Sequence, residues 1–133
     1  MQANERPQPS SKRILIVEDN ELNMKLLRDI LDAYGYATIT TAYGATVLDL
    51  ACKHLPDLIL MDLQLPDVSG LDVARRLKDH VQTRNIPIIA VTAFAMVGDE
   101  HKALTSGCDG YVSKPIVIKD FLEMVESFIG VAR

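Results

Sequence analysis

Cysteine is scarce in this chain: Cys52 and Cys108 are its only two, with no CxxC spacing. That excludes a disulfide framework and leaves no thiolate set for zinc, so both read as buried thiols in a reducing compartment. Excess positive charge is missing as well. Fourteen Lys and Arg against eighteen Asp and Glu give a formal net charge of −4, whereas a nucleic-acid groove needs clustered cations to neutralise phosphates. The opening MQANERPQPSSK lacks the apolar stretch of a secretory signal, and no apolar run reaches membrane-spanning length. These absences point to a cytoplasmic protein with no nucleic-acid partner and no membrane insertion. Glycine is absent from the loop after the first apolar run, VEDNEL, which removes the amide cradle that a flavin or dinucleotide phosphate needs.

What is present is enough for one core. Of 133 residues, 48% are hydrophobic and 24% charged, the balance of a single globular domain. Residues 1–12, rich in Gln, Pro and Ser, read as a flexible leader, and residues 13–133 as one domain. Arg13 to Val17 (RILIV), Leu58 to Met61 (LILM) and Ile86 to Val91 (IPIIAV) are apolar without alternation. Such runs suit parallel strands covered by helices on both faces. Tyr36 to Ala42 reads as a half-polar edge strand, and Gly110 to Lys114 as a short fifth strand. Between them, Glu21 to Tyr34 carries Leu22, Leu26, Leu27, Ile30, Leu31 and Tyr34 at helical spacing, with Asn20 as N-cap and Gly35 as stop. Further helices are expected over Ala45 to His54, Leu71 to Asp79, Val97 to Ser106 and Ile118 to Ile129. Strand and helix alternating five times define an α/β domain with an open parallel sheet.

In such sheets ligands bind beyond the carboxyl ends of the strands. Glu18, Asp19 and Asn20 follow the first strand, Asp62 the third and Thr92 the fourth, and Lys114 ends the fifth. Taken singly, each has a plain structural role: Asp19 as a turn residue, Thr92 as a helix cap, Lys114 as a solvated cation. Together they bring three carboxylates, a hydroxyl and an ammonium group to one edge from four strands. Clustered carboxylates repel unless a cation intervenes, and an all-oxygen set favours Mg²⁺, with Mn²⁺ as a substitute. With an Asp carboxylate as nucleophile and Lys114 and Thr92 facing equatorial oxygens, these are the parts of phosphoryl transfer. His54, His80 and His101 fall away from the strand ends and read as surface residues.

The strings ILIVEDNELN, LILMDLQLPDVSGLDV, IIAVTAFA and GYVSKP resemble, in order, the motifs of the receiver domain of bacterial two-component response regulators, over residues 13–129. The resemblance implies the flavodoxin-like (CheY-like) doubly wound fold, with five strands ordered 2-1-3-4-5 and five flanking helices. It implies that Asp62 accepts a phosphoryl group from a phosphohistidine, that Asp19, Asp62 and the Gln64 backbone carbonyl ligate Mg²⁺, and that Glu18 acts through a water. Thr92 and Lys114 would contact the phosphoryl oxygens, Tyr111 would be the switch aromatic, and Lys114-Pro115 a cis peptide. The implied partners are sensor histidine kinases that phosphorylate or dephosphorylate it, phosphotransfer proteins, and pseudokinases or other signalling effectors. No output domain follows the fifth helix, so the expectation is a single-domain regulator that catalyses only its own phosphorylation and dephosphorylation. TAFAM and DLQLPDVSGLDVARRLK further resemble regulators of cell division and polarity, which implies recruitment to cell poles by membrane-bound kinases. Two features depart from the commonest pattern: Glu18 where Asp is also common, and Phe94, which with Gln64 would flank the hydrolytic water. A haloacid-dehalogenase-type phosphatase is the competing class, but it would place its nucleophile after the first strand, where this chain has Glu18-Asp19-Asn20.

Overall fold

The computed structural model describes residues 12–93 and 98–131. Its strands are β1 (Arg13–Val17), β2 (Ala37–Thr41), β3 (Leu58–Asp62), β4 (Ile88–Thr92) and β5 (Gly110–Ser113). Its helices are α1 (Glu21–Ala33), α2 (Val47–His54), α3 (Gly70–Asp79), α4 (Asp99–Thr105) and α5 (Ile118–Ile129), with a 3-10 turn, Gly44–Thr46, leading into α2. All strand pairs are parallel, in the order β2-β1-β3-β4-β5. This is the 2-1-3-4-5 flavodoxin-like sheet that the resemblance implied.

Successive strand residues point to opposite faces, and in β1, β3 and β4 both sets are apolar. Ile14, Ile16, Leu58, Leu60, Ile89 and Val91 pack with Leu27, Ile30 and Leu31 of α1 and Phe121, Leu122 and Val125 of α5. Leu15, Val17, Ile59, Met61, Ile88 and Ala90 pack on the other face with Val47 and Ala51 of α2, Val73, Ala74 and Leu77 of α3, and Ala103 of α4. Two cores thus sandwich one sheet, which is why these runs show no polar alternation. β2 lies at the edge and is only part-buried, in keeping with its half-polar sequence.

Local chemistry sets the helix ends. The Asn20 side chain accepts the Asn23 amide at 2.9 Å, and Gly35 takes φ 92° to close α1. Only part of the apolar repeat of α1 is used: Leu27, Ile30 and Leu31 are buried, whereas Leu22, Leu26 and Tyr34 are exposed. α3 begins at Gly70, one residue before the expected Leu71, because the Ser69 hydroxyl caps it by accepting the Leu71 amide at 3.2 Å. β4 begins at Ile88 rather than Ile86. Pro87 has no N–H to donate, and its carbonyl accepts Ile59 N–H at 3.0 Å just before the strand starts. α2 ends at Leu55, a non-glycine residue at φ 46° with Pro56 next, a left-handed conformation that costs about 1 kcal/mol. Of the expected leader only Lys12 is described; its carbonyl already accepts Ala37 N–H at 2.9 Å. Phe94 and Val97 lie outside the described residues.

The histidines and cysteines are less uniform than the sequence suggested. His101 is exposed, but His54 and His80 are half-buried, and His80 Nδ1 lies 3.9 Å from Cys52 Sγ and accepts the Gln82 amide at 3.2 Å. Cys52 is itself half-buried; Cys108 alone is buried. Burial, with Asp109 beside it, pushes the Cys108 thiol up to about 11. The folded state therefore holds this proton more tightly than the unfolded chain does. Stability from Cys108 is present below pH 9 and lost as pH rises toward 11, on the order of 2 kcal/mol across that window. Urea titrations at pH 8 and pH 11 should show this loss, and Cys108→Ala should reduce it, leaving the part due to Tyr36 and Tyr111, whose hydroxyls burial also pushes up; an equal alkaline loss in the variant would remove Cys108 as a source. A thiol reagent at pH 8 should label Cys52 well before Cys108.

Candidate functional site

Strand register assembles the site. Val17 is level with Met61 across β1 and β3, Asp62 with Val91 across β3 and β4, and Thr92 with Ser113 across β4 and β5. One step past these pairs, Glu18 comes level with Asp62, and Lys114 follows Ser113. Three crossover connections thereby deliver their last residues to one row at the carboxyl edge. The Lys114 amide donates to the Thr92 carbonyl at 2.8 Å, and the Glu18 amide to the Thr41 carbonyl at 3.0 Å, so the ladder holds both residues in place.

Carboxylate oxygens of Glu18, Asp19 and Asp62 lie within 4.8 Å of one another. Glu18 and Asp62 are buried and Asp19 is exposed, which makes Asp19 the open side of the cluster. Lys114 Nζ bridges the two buried acids, donating to Glu18 Oε1 at 2.6 Å and Asp62 Oδ2 at 3.3 Å. The other oxygens are held by backbone: Asn20 N–H donates to Glu18 Oε2 at 3.1 Å and Gln64 N–H to Asp62 Oδ1 at 2.9 Å. Burial holds the Glu18 carboxyl above the ordinary carboxylate range and Asp62 adds to this, while Lys114 and the Asn20 amide pull it back. One ammonium against three carboxylates leaves a negative site. The donor set is all oxygen, compact and open on the Asp19 side, which fits a small hard dication that keeps part of its water.

The loop after β3 is built tightly against the site. Gly70 N–H donates to the Leu63 carbonyl at 3.1 Å, and Gln64 and Ser69 pair as an isolated bridge. A Cβ on Gly70 would sit 2.6 Å from the Asp62 carbonyl oxygen and 2.8 Å from Leu63 Cα. Backbone cannot yield there as a flexible side chain can, so glycine is required where α3 starts against the acidic strand end.

Thr92 ends β4, buried at 2% exposure. Tyr111, on β5, packs against the core between the sheet and α2–α4. Its hydroxyl is buried and has no hydrogen-bond partner among the described residues, and burial together with Asp99 and Glu100 raises its pKa. Lys114-Pro115 is cis. Glu18, Asp19, Asp62, Thr92 and Lys114, all named from sequence, are therefore brought to one edge, with the Gln64 amide touching Asp62 and Tyr111 on β5 level with Ala90 of β4. Sequence reasoning gave Lys114 to an incoming phosphoryl group; it did not foresee that Lys114 bonds Glu18 directly, a contact across 96 positions. It also missed Asp67, whose carboxylate accepts the Gly44 and Ala45 amides at 3.0 and 2.9 Å. No local signal marks that pairing, since Asp67 reads as an ordinary turn residue after Pro66.

Known proteins resemble this chain over nearly all of its length. Residues 14–126 match the response regulator receiver domain. The chain is 58% identical over 120 residues to the polar-differentiation response regulator DivK of Brucella ovis, covering 90% of this chain and 98% of the relative. It is also 58% identical over 119 residues to DivK of Brucella anthropi, covering 90% and 97%. Among solved structures, the receiver domain of a sensor histidine kinase from Pseudomonas aeruginosa, with a magnesium ion coordinated in its active-site cleft, matches with a TM-score of 0.84 at 32% identity, covering 90% of this chain and 98% of that one. A CheY-like receiver domain from Methanospirillum hungatei matches with a TM-score of 0.81 at 28% identity, covering 88% and 92%.

Proposed function

The chain belongs to the response regulator receiver family, and from that premise we propose that Asp62 is its phosphoacceptor. The observation that carries the proposal is the Lys114 bridge: one cation drawn between Glu18 and Asp62, with a third carboxylate at the open side. An Asp62 carboxylate oxygen bonds to phosphorus as the bond from phosphorus to the donor histidine nitrogen breaks, and the electron pair leaves with the imidazole. Lys114 places its charge beside the oxygens that arrive, and Thr92, ending the neighbouring strand, offers them its hydroxyl. Asp19, Asp62 and the Gln64 carbonyl would hold Mg²⁺, with Glu18 acting through a water. The ion supplies neutralising charge that lets an anion enter an acidic site. The Pseudomonas neighbour's magnesium supports Mg²⁺; no comparable support exists for Mn²⁺.

The output is a change in which proteins bind. Phosphate at Asp62 draws Thr92, Tyr111 repacks beside it, and the surface of α4, β5 and α5 is biased toward its second conformation. The partners proposed are sensor histidine kinases, phosphotransfer proteins and signalling effectors such as pseudokinases. Likeness to the polar-differentiation regulators of Brucella supports a role in cell-cycle and cell-division control, in the cytoplasm and recruited to poles by membrane-bound kinases. None of the helices in the described residues is long and apolar enough to cross a membrane. The dehalogenase-type phosphatase has no support from family or fold, and catalysis is confined to the protein's own phosphorylation and dephosphorylation.

Incubation with acetyl phosphate and Mg²⁺ should add one phosphoryl group, read by intact mass, and chelation with EDTA should abolish the gain. No gain with Mg²⁺ present, or a gain indifferent to EDTA, would overturn the reading.

A further inference from the structure

The 3-10 turn Gly44–Thr46, which leads from β2 into α2, is capped from a distant loop. The first amides of a helix lack internal acceptors and form its positive end. Here the residue in the cap position, Tyr43, makes no side-chain cap bond. The amides of Gly44 and Ala45 instead donate to Oδ1 and Oδ2 of Asp67, at 3.0 and 2.9 Å, across 23 and 22 positions. One carboxylate from the loop between β3 and α3 thus caps the loop between β2 and α2. These amide bonds hold the Asp67 carboxyl below its ordinary range, as expected of a cap accepting two backbone donors.

The same two loops interlock by shape. A Cβ on Gly44 would fall 2.4 Å from Val68 Cγ2, 3.0 Å from Val73 Cγ2 and 3.1 Å from Leu65 Cδ1. A side chain on Gly44 would have to push Val68, Val73 and Leu65 aside, so glycine there lets the β3–α3 loop close over this end, and Asp67 ties the closure at its tip. Behind the tip the loop runs back through the Gln64–Ser69 bridge to the Gln64 amide, which holds Asp62 Oδ1.

We propose that Asp67 is a positioning residue for the cation site: by clamping Gly44 and Ala45 it fixes the loop that carries Gln64, and so sets the affinity for Mg²⁺. Asp67 touches neither the phosphoryl group nor the ion. Mg²⁺ tolerates little departure from ideal ligand geometry, so a loosened carbonyl ligand costs affinity without altering the nucleophile. The inference rests on the assignment of Asp62 as phosphoacceptor beside a Mg²⁺ site.

The test compares Asp67→Ala, Asp67→Asn and Asp109→Ala with the unmodified protein. Asp109 is a matched control: its carboxylate also accepts a backbone amide, Ile88 N at 2.9 Å, and pairs with Lys78 at 3.0 Å, but at the opposite end of the sheet. With all four proteins folded, Mg²⁺ is titrated and read by amide chemical shifts. Acetyl phosphate labelling is then followed at limiting and at saturating Mg²⁺. Asp67→Ala should weaken Mg²⁺ binding about 3- to 10-fold, below the range usual for groups bonded directly to metal ligands. Asp67→Asn, which keeps one acceptor, should fall between it and the unmodified protein. The labelling rate of Asp67→Ala should recover at saturating Mg²⁺, and Asp109→Ala should bind Mg²⁺ as the unmodified protein does. Unchanged affinity in Asp67→Ala, or equal weakening in Asp109→Ala, would overturn the positioning role. Failure of the unmodified protein to become labelled would instead remove the assignment of Asp62.

Discussion

Asp62→Asn is expected to take up no phosphoryl group from acetyl phosphate or from a phosphohistidine donor, a loss of roughly a thousandfold or more, as removal of an enzymatic nucleophile gives. The amide is nearly isosteric with the carboxylate, so the strand end keeps its shape, but its oxygen carries no charge to attack phosphorus. The fold should survive. The change removes one of three mutually repelling carboxylates, and Lys114 keeps its shorter bond, to Glu18 at 2.6 Å. Stability measured by urea unfolding should therefore shift by no more than about 1 kcal/mol. Intact mass after labelling, with a circular dichroism spectrum of the same sample, separates a lost acceptor from a lost fold. A folded variant that gains a phosphoryl group as readily as the parent would show that another residue is the acceptor.

Lys114→Met should cost stability at the site because of what it leaves behind. Glu18 has a side chain only 1% exposed, and Lys114 pairs with it at 2.6 Å. Removing one partner of a buried pair strands the other charge. The penalty has a ceiling: Glu18 can protonate instead, and for a carboxyl with an ordinary pKa of 4.5 that costs about 3 kcal/mol at pH 7. A loss of about 2–3 kcal/mol at pH 7 is expected, together with loss of labelling.

The sign of the pH dependence follows from the direction of the Glu18 shift. Burial raises its pKa in the folded state above the unfolded value, so the folded protein binds that proton more tightly. Stability is then greatest below the unfolded pKa and falls as pH rises through the folded one. In Lys114→Met this effect is enlarged, and the deficit relative to the parent should shrink to below about 1 kcal/mol near pH 5. Adding Glu18→Gln to Lys114→Met should recover much of the loss at pH 7, as coupled neighbours do in a double-mutant cycle. A deficit independent of pH, and unrelieved by Glu18→Gln, would locate the damage in packing rather than charge.

The sheet was legible because its signal is local and redundant. RILIV, LILM and PIIAV are apolar in both parities, and only strands covered on two faces tolerate that. The helix starts at Asn20 and the stop at Gly35 were legible for the same reason: capping is settled within four residues. Less of α1 could be read. Leu22, Leu26, Leu27, Ile30 and Leu31 all sit at helical spacing, but Leu22 is 79% and Leu26 44% exposed. Periodicity says that a face exists, and the partner decides where its edges fall.

Sequence by itself determined the sheet's class and the chemistry available at its carboxyl edge: which acids, which hydroxyl and which ammonium group end the strands. Those follow from residue type and from chain direction, since parallel strands all finish on one side. Tertiary structure alone decided how the groups meet. Parallel register set Glu18 level with Asp62, the crossover to β5 brought Lys114 onto both, and close approach of two loops at Gly44 let Asp67 cap a helix more than twenty positions away. The physical reason is range. Propensity, capping and alternation act over a few residues, whereas ion pairs and loop closure join residues that only the packed sheet makes neighbours.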